Sequence, residues 1–235
     1  MHAMILAAGR GERLRPLTDH SPKPLIKAAG KPLIEYHLEN LAAAGVTRVV
    51  INHAWLGHML EQQLGDGRRW GLEIVYSPET AALETGGGIK QALPLLTDNG
   101  RNPAPFLVVN GDVFVDQLPH VEHWTLPDGM LAKLFLVDNP AQHPQGDFAL
   151  DGQLLTLQPE FDHKRLTFSG IGVYHPEFFN DSPTGAFGTP LLIRREIARG
   201  RVCGSHFEGY WCDVGTVTRL QGLEQRLIQT CHRAR

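Results

Sequence analysis

The sequence predicts an α/β fold in which a mixed, mostly parallel central sheet carries helices on both faces. Short apolar runs alternate with helix-length amphipathic stretches as far as residue 137, the rhythm of strands joined by crossover helices. The first and fourth of these runs pass directly into glycine, Asn or Asp, as strands do where an open sheet meets a ligand beyond its carboxyl ends. The chain has 235 residues, 42% of them apolar, enough for one sizeable domain with a proper core.

Residues 4–8 form a short apolar run, read as a buried first strand that leads into Gly9 and Gly11. Residues 33–44 carry apolar side chains at 33, 34, 38 and 41, a helical stripe closed by Gly45. A β-branched strand follows at 48–52, a helix at 56–64, a third strand at 72–76 and a helix at 88–96. The segment 96–105 holds Asp, Asn, Gly and two prolines and reads as an exposed connector. The fully apolar strand 106–109 ends at Asn110-Gly111-Asp112, and another strand spans 130–137. Beyond about residue 140 the rhythm changes. Residues 148–157 look like a hairpin turning at Asp151-Gly152, 167–174 a strand, and 188–199 and 216–230 helices. There is no internal repeat.

The composition narrows the function. A net charge of −3 gives no reason to expect a nucleic-acid partner, so cations matter by placement. His53 and His58 stand five apart, which misses the helical zinc spacing. Three cysteines, Cys203, Cys212 and Cys231, form no Cys-x-x-Cys pair and suit reduced thiols in a cytoplasm. The N-terminus lacks a signal-peptide core, and no stretch approaches membrane-spanning length. Without a secretion signal, the sequon at Asn180-Asp181-Ser182 carries no weight.

Chemistry concentrates at the end of the first strand. Gly9 and Gly11 let the backbone turn sharply and bring N–H groups to a ligand, and Arg13 and Lys23 place cations around the same point. Such a loop meets the needs of a polyphosphate, many oxygens and several charges. Two other phosphate loops are excluded by spacing. Leu14 stands where a dinucleotide fingerprint needs its third glycine. Gly30-Lys31 is followed by Pro32 instead of Ser or Thr, and Leu25 replaces the leading glycine of a Walker loop. Asp112, after the fourth strand, is placed either to hold a divalent cation or to form a turn or cap a helix. Asp213, in Tyr210-Trp211-Cys212-Asp213-Val214-Gly215-Thr216, is placed either to share that cation or to cap the following helix. The run Leu83-Glu84-Thr85-Gly86-Gly87-Gly88 reads as a loop whose backbone can approach a flat base, or as a flexible linker.

Taken together these segments resemble the sugar-1-phosphate nucleotidyltransferase family. Its signature is a strand, G-x-G-x-R, P-x-T and a Lys-Pro pair about ten residues beyond the arginine, here Gly9, Gly11, Arg13, Pro16, Thr18, Lys23 and Pro24. Trp211, Asp213, Gly215 and Thr216 match the family's W-x-D-x-G-T segment. The resemblance covers essentially the whole chain. It implies a Rossmann-like three-layer nucleotidyltransferase fold in a single domain, 1–235, with a nucleotide-binding part at about 1–115 and a sugar-binding part at about 116–235. It implies Mg²⁺ on Asp112 and Asp213, and a catalytic role for Arg13, Lys23 and Asp112. The nucleotide would lie against Ala8, Gly9, Gly11, Glu12, Arg13 and Lys23, with its base near Glu84, Thr85 and Gly86 and with Glu79 at the margin. Sugar contacts would come from Asn110, Gly146, Asp147, Ser169 and Gly170.

Within the family, the segments 51–57, 83–88 and 167–171 are most similar to the branch that joins UTP to N-acetylmuramate 1-phosphate in peptidoglycan recycling. Thymidylyltransferases acting on glucose 1-phosphate carry a Glu-Lys-Pro segment whose lysine holds the sugar phosphate. The corresponding Leu157-Gln158-Pro159 has no lysine, which argues against that type. The length matches a domain without the left-handed β-helix that bifunctional N-acetylglucosamine uridylyltransferases append. The implied partners are UTP and a sugar 1-phosphate, with no nucleic acid or membrane, in a cytoplasmic monomer or small homo-oligomer. The alternatives are a glucose-1-phosphate or mannose-1-phosphate enzyme using another NTP, and an inactive nucleotide-sugar sensor. Retention of Arg13, Lys23, Asp112 and Asp213 speaks against the sensor.

Overall fold

Alternation along the first strand decides the layering. In the computed structural model, which describes residues 1–157 and 164–233, β1 (His2–Leu6) turns Ala3 and Ile5 to one face and Met4 to the other, all fully buried. A strand apolar on both faces must be covered on both. The chain supplies the covers in turn. After β1 come a small hairpin, β2 (Lys27–Ala28) and β3 (Lys31–Pro32), then α1 (Leu33–Ala43), β4 (Arg48–His53), α2 (Gly57–Leu64), β5 (Glu73–Pro78), α3 (Glu84–Leu96) and β6 (Phe106–Asn110). The second half runs β7 (Val113–Val115), β8 (Ala132–Val137), β9 (Ala149–Asp151), β10 (Leu154–Thr156), β11 (Thr167–Tyr174), α4 (Thr189–Ile197), β12 (Val202–His206), β13 (Trp211–Asp213) and α5 (Val217–Arg233).

Nine strands form one sheet in the order β5-β4-β1-β6-β11-β8-β12-β10-β9. Only β11 and β10 run against the others, so the sheet is mixed and mostly parallel. Ile34, Leu38 and Leu41 of α1 and Leu60 and Leu64 of α2 pack on the Ala3–Ile5 face. Ile89, Ala92 and Leu96 of α3, with Leu192, Ile193 and Ile197 of α4, pack on the Met4 face. Each of these leucines and isoleucines contributes roughly 1.5–3 kcal/mol when fully buried. A third cluster joins Leu220 and Leu223 of α5 to Ile26, Ala28, Phe114 and Val214. It fastens α5 over β2 and the two-stranded ribbon β13-β7. No described helix is long and apolar enough to cross a membrane.

Several boundaries differ from expectation for identifiable reasons. β1 ends at Leu6 and not at residue 8, because the Ala7 N–H leaves the ladder to donate to Asn52 Oδ1 at 2.8 Å. α3 begins at Glu84, four residues before the predicted start, so Gly86, Gly87 and Gly88 are helical. Glycine's poor helix propensity is overridden by packing there. A Cβ on Gly86 would stand 2.4 Å from the Phe187 ring, and one on Gly87 2.5 Å from the Gly185 carbonyl. β7 and β12 were not predicted. β7 is only three residues long, and Gly204 interrupts the apolar pattern of β12.

Candidate active site

The carboxyl ends of β1, β4 and β6 open onto a cleft of about 720 Å³, within the range of small-molecule sites. The glycine loop forms its floor. Gly11 adopts φ 65°, and a Cβ there would lie 3.0 Å from both Lys23 Cβ and Thr18 Cγ2. Its carbonyl accepts from Thr18 Oγ1 at 3.0 Å and from the Leu14 N–H at 2.9 Å, so the turn is fixed on both sides. Gly9 differs: a Cβ there would meet nothing within 4 Å, and the room it leaves belongs to the cleft. Ala8, Glu12 and Arg13 also line the cleft, and Arg13 forms no ion pair among the described residues. Lys23 is buried, with Nζ 3.1 Å from Asp112 Oδ2.

A buried relay ties the walls together. Asn52, at the end of β4, accepts from the Ala7 N–H and donates through Nδ2 to Glu79 Oε1 at 2.6 Å. Glu79 Oε2 accepts from the Leu83 N–H at 3.2 Å. Asn52 is 2% and Glu79 8% exposed, so the relay works in a dry environment where each bond is strengthened and each missing partner is costly. Asn52 was not among the predicted site residues. Its signal was available: a polar residue closing a β-branched strand at the carboxyl end of the sheet.

Glu84 and Thr85 line the cleft. Glu84 sits at φ 58°, a left-handed conformation that a residue with a side chain adopts at a cost. Thr85 Oγ1 accepts from the Thr189 N–H at 2.9 Å. Gly86 does not line the cleft, and its N–H and that of Gly87 both donate to the Phe187 carbonyl. The glycine run is therefore a helix-packing surface, and its first two N–H groups are already engaged. This corrects the loop expected there.

Asp112 and Asp213 are neighbours through the backbone. β13 pairs antiparallel with β7, setting Asp213 opposite Val113, and the Val214 N–H donates to the Asp112 carbonyl at 2.7 Å. Asp213 does not cap α5; Thr216 Oγ1 accepts from the Arg219 N–H at 3.4 Å instead. The Asp213 carboxylate is paired with Arg219 and receives Gln142 Nε2 at 3.5 Å. Two hard carboxylates on adjoining positions form a donor set that fits Mg²⁺, which takes one or two and leaves the rest to water and phosphate. Among the described residues no group of three or more potential ligands converges.

The predicted sugar contacts fare differently. Asn110 lines the cleft, and Gly170, at φ 79°, makes room for it, since a Cβ there would stand 2.8 Å from Asn110 Nδ2. Ser169 is fully buried, its hydroxyl donating to the Phe135 carbonyl at 2.6 Å. Asp147 accepts the Phe168 N–H at 2.8 Å and meets His143 Nε2 at 3.0 Å. Gly146, at φ 61°, packs against Asn139. Gly146, Asp147 and Ser169 thus hold the protein together and line neither cavity. Gln158 and Pro159, read as the counterpart of the lysine segment, lie outside the described residues. A second depression, of about 490 Å³, lies instead between the end of β8 and β13. Asp138, Gln142, Phe207, Trp211, Asp213 and Arg219 line it.

Comparison with known proteins places this geometry in context. The family model described as "Nucleotidyl transferase" matches residues 2–124. The chain is 51% identical over 228 residues to N-acetylmuramate alpha-1-phosphate uridylyltransferase of Neisseria meningitidis serogroup B, covering 94% of this chain and 96% of the relative. It is 36% identical over 245 residues to the protein of that name from Caulobacter vibrioides, covering 97% of each. HddC from Yersinia pseudotuberculosis, solved with GMP-PN, superposes with a TM-score of 0.76 at 21% identity over 96% of this chain and 99% of that one. At that identity the likeness speaks for the fold.

Proposed function

Because the chain belongs to the nucleotidyl transferase family, we propose that it transfers UMP from UTP to N-acetylmuramate 1-phosphate, giving UDP-N-acetylmuramate and pyrophosphate. The observation that carries the reaction is the single cleft in which the glycine loop, Arg13, Lys23 and Asp112 meet. Likeness to the Neisseria enzyme along nearly the whole chain supports the choice of sugar and base. The activity belongs to peptidoglycan recycling in the cytoplasm.

An oxygen of the sugar 1-phosphate attacks the α-phosphorus of UTP. The new P–O bond forms as the bond to the β-phosphate oxygen breaks, and the electron pair leaves on pyrophosphate. The nucleophile is already an anion, so no side chain need activate it. Catalysis then rests on positioning and on neutralising charge. The Gly9–Gly11 loop and Arg13 hold the β- and γ-phosphates. Lys23, buried and oriented by Asp112, reaches the α-phosphate. Asp112 and Asp213 would hold Mg²⁺, which would supply charge neutralisation at the α-phosphate. The uracil lies against residues 83–85 and Ala8, in walls kept rigid by the Asn52–Glu79 relay. The sugar occupies the second depression, where Trp211 and Phe207 offer ring faces and Asp138 and Gln142 offer polar groups. Residues 1–115 thus serve mainly the nucleotide and 116–235 mainly the sugar.

A panel of four NTPs against N-acetylmuramate, glucose and mannose 1-phosphates, read by pyrophosphate release, tests the proposal. UTP with N-acetylmuramate 1-phosphate should dominate. Preference for GTP or dTTP would overturn the assignment.

A further inference from the structure

The reaction as proposed needs a partner for one further anion, the phosphate of the attacking sugar. We propose that Arg219 holds it; the inference rests on that reaction. Arg219 stands in the first turn of α5. Its Nε donates to Thr216 Oγ1 at 3.3 Å, and Nη1 is paired with Asp213. These contacts fix the plane of the guanidinium and turn Nη2 toward Gly215.

Gly215 is where two cations meet. A Cβ on Gly215 would lie 2.5 Å from Arg219 Nη2 and 3.3 Å from Arg13 Nη2. Among the described residues neither Nη2 has a carboxylate partner. Arg219 is already met by Asp213 through Nη1, but with both Nη2 groups clear of carboxylates among the described residues the convergence leaves an excess of positive charge that favours an anion there. Gly215 lines the nucleotide cleft, whereas Arg219 lines the second depression. Gly215 therefore forms the wall between the two. A sugar 1-phosphate with its sugar in the depression must send its phosphate past this wall to reach the α-phosphorus. Arg219 offers it a planar donor edge there, and the absence of a side chain at position 215 keeps that edge open.

The test measures binding and turnover of wild type, Arg219→Gln, Arg219→Lys and Gly215→Ala. Calorimetry gives Kd for N-acetylmuramate 1-phosphate and N-acetylglucosamine 1-phosphate, and kinetics gives KM for UTP and the Mg²⁺ requirement. In Arg219→Gln the Kd should rise on the order of 10–100-fold for both sugar phosphates. KM for UTP should stay within about threefold. Arg219→Lys should recover part of the loss, and Gly215→Ala, which crowds Nη2 while leaving Arg219 in place, should weaken both sugar phosphates in the same direction. A rise confined to N-acetylmuramate 1-phosphate would assign Arg219 to the lactyl carboxylate and overturn the proposal. So would unchanged sugar-phosphate binding with a raised Mg²⁺ requirement, which would make Arg219 a positioning residue for Asp213. Wild-type constants in Arg219→Gln would remove Arg219 alone. Wild-type protein that turns over neither sugar phosphate with UTP would remove the reaction and this inference with it.

Discussion

Replacing Asn52 with alanine should loosen both walls of the nucleotide cleft at once. The side chain joins the Ala7 N–H at 2.8 Å to Glu79 Oε1 at 2.6 Å, and Glu79 in turn holds the Leu83 N–H. Truncation leaves a buried N–H without an acceptor, at about 1–3 kcal/mol, and takes a donor from a buried carboxylate, at about 1.5–3 kcal/mol. The losses share one network and overlap, so roughly 3–5 kcal/mol is the expected total. For a chain of this size that lowers the unfolding midpoint on the order of 10 °C. KM for UTP should rise about tenfold, because the released backbone belongs to Ala7–Gly9 and Leu83 of the cleft. Thermal unfolding by circular dichroism and steady-state kinetics read the two effects separately. Gly88→Ala provides an independent check, since its Cβ would stand 2.6 Å from Glu79 Oε1 and 2.7 Å from Asn52 Nδ2. An Asn52→Ala variant melting within about 2 °C of wild type, with an unchanged UTP KM, would refute the relay.

Asp112→Asn and Asp213→Asn should each lower turnover roughly 10²–10⁴-fold with folding intact; full activity in a folded Asp213→Asn protein would remove that residue from the site. Arg13→Ala should lower kcat more than it raises KM for the sugar phosphate, because its place is on the departing pyrophosphate; a pure KM effect would move it to the other subsite. His37, buried behind β7, has its pKa pushed down from 6.5 to about 4 by burial, with the Val113 backbone and Asp112 pulling weakly the other way. An unfolded chain takes up that proton below pH 6.5 while the fold refuses it until about 4. Stability is therefore lost as pH falls through this window, by about 3 kcal/mol at its lower end. His37→Leu should flatten the dependence. Comparing melts of the two proteins at about pH 7.5 and 4.5 checks it, and parallel curves would contradict the assignment.

Much of the fold was legible because periodicity reports burial. The stripe at 33, 34, 38 and 41 and the apolar strand ending at Asn110 were each readable within a few residues of chain. The phosphate loop was legible for another reason: glycine and cation spacing reflects local backbone geometry, and Gly11 does occupy the left-handed region. What remained hidden depends on partners distant in sequence. Gly86 and Gly87 read as a loop because Phe187, which fills the space above Gly86, lies a hundred residues away. Ser169 was assigned a sugar contact by the resemblance, yet it is fully buried in β11 with its hydroxyl donating to the Phe135 carbonyl of the neighbouring strand. Arg219 gave no local signal, since only the β13-β7 pairing and the Thr216 cap aim it at Gly215.

If UTP occupies the cleft and the sugar the adjoining depression, the deciding comparison is kcat/KM for N-acetylmuramate 1-phosphate against glucose 1-phosphate, both with UTP and Mg²⁺. A preference of roughly tenfold or more for N-acetylmuramate 1-phosphate is expected, rising toward 10⁴-fold if a site donor is left unpaired by glucose. Equal use of the two, or a preference for glucose 1-phosphate, would contradict it.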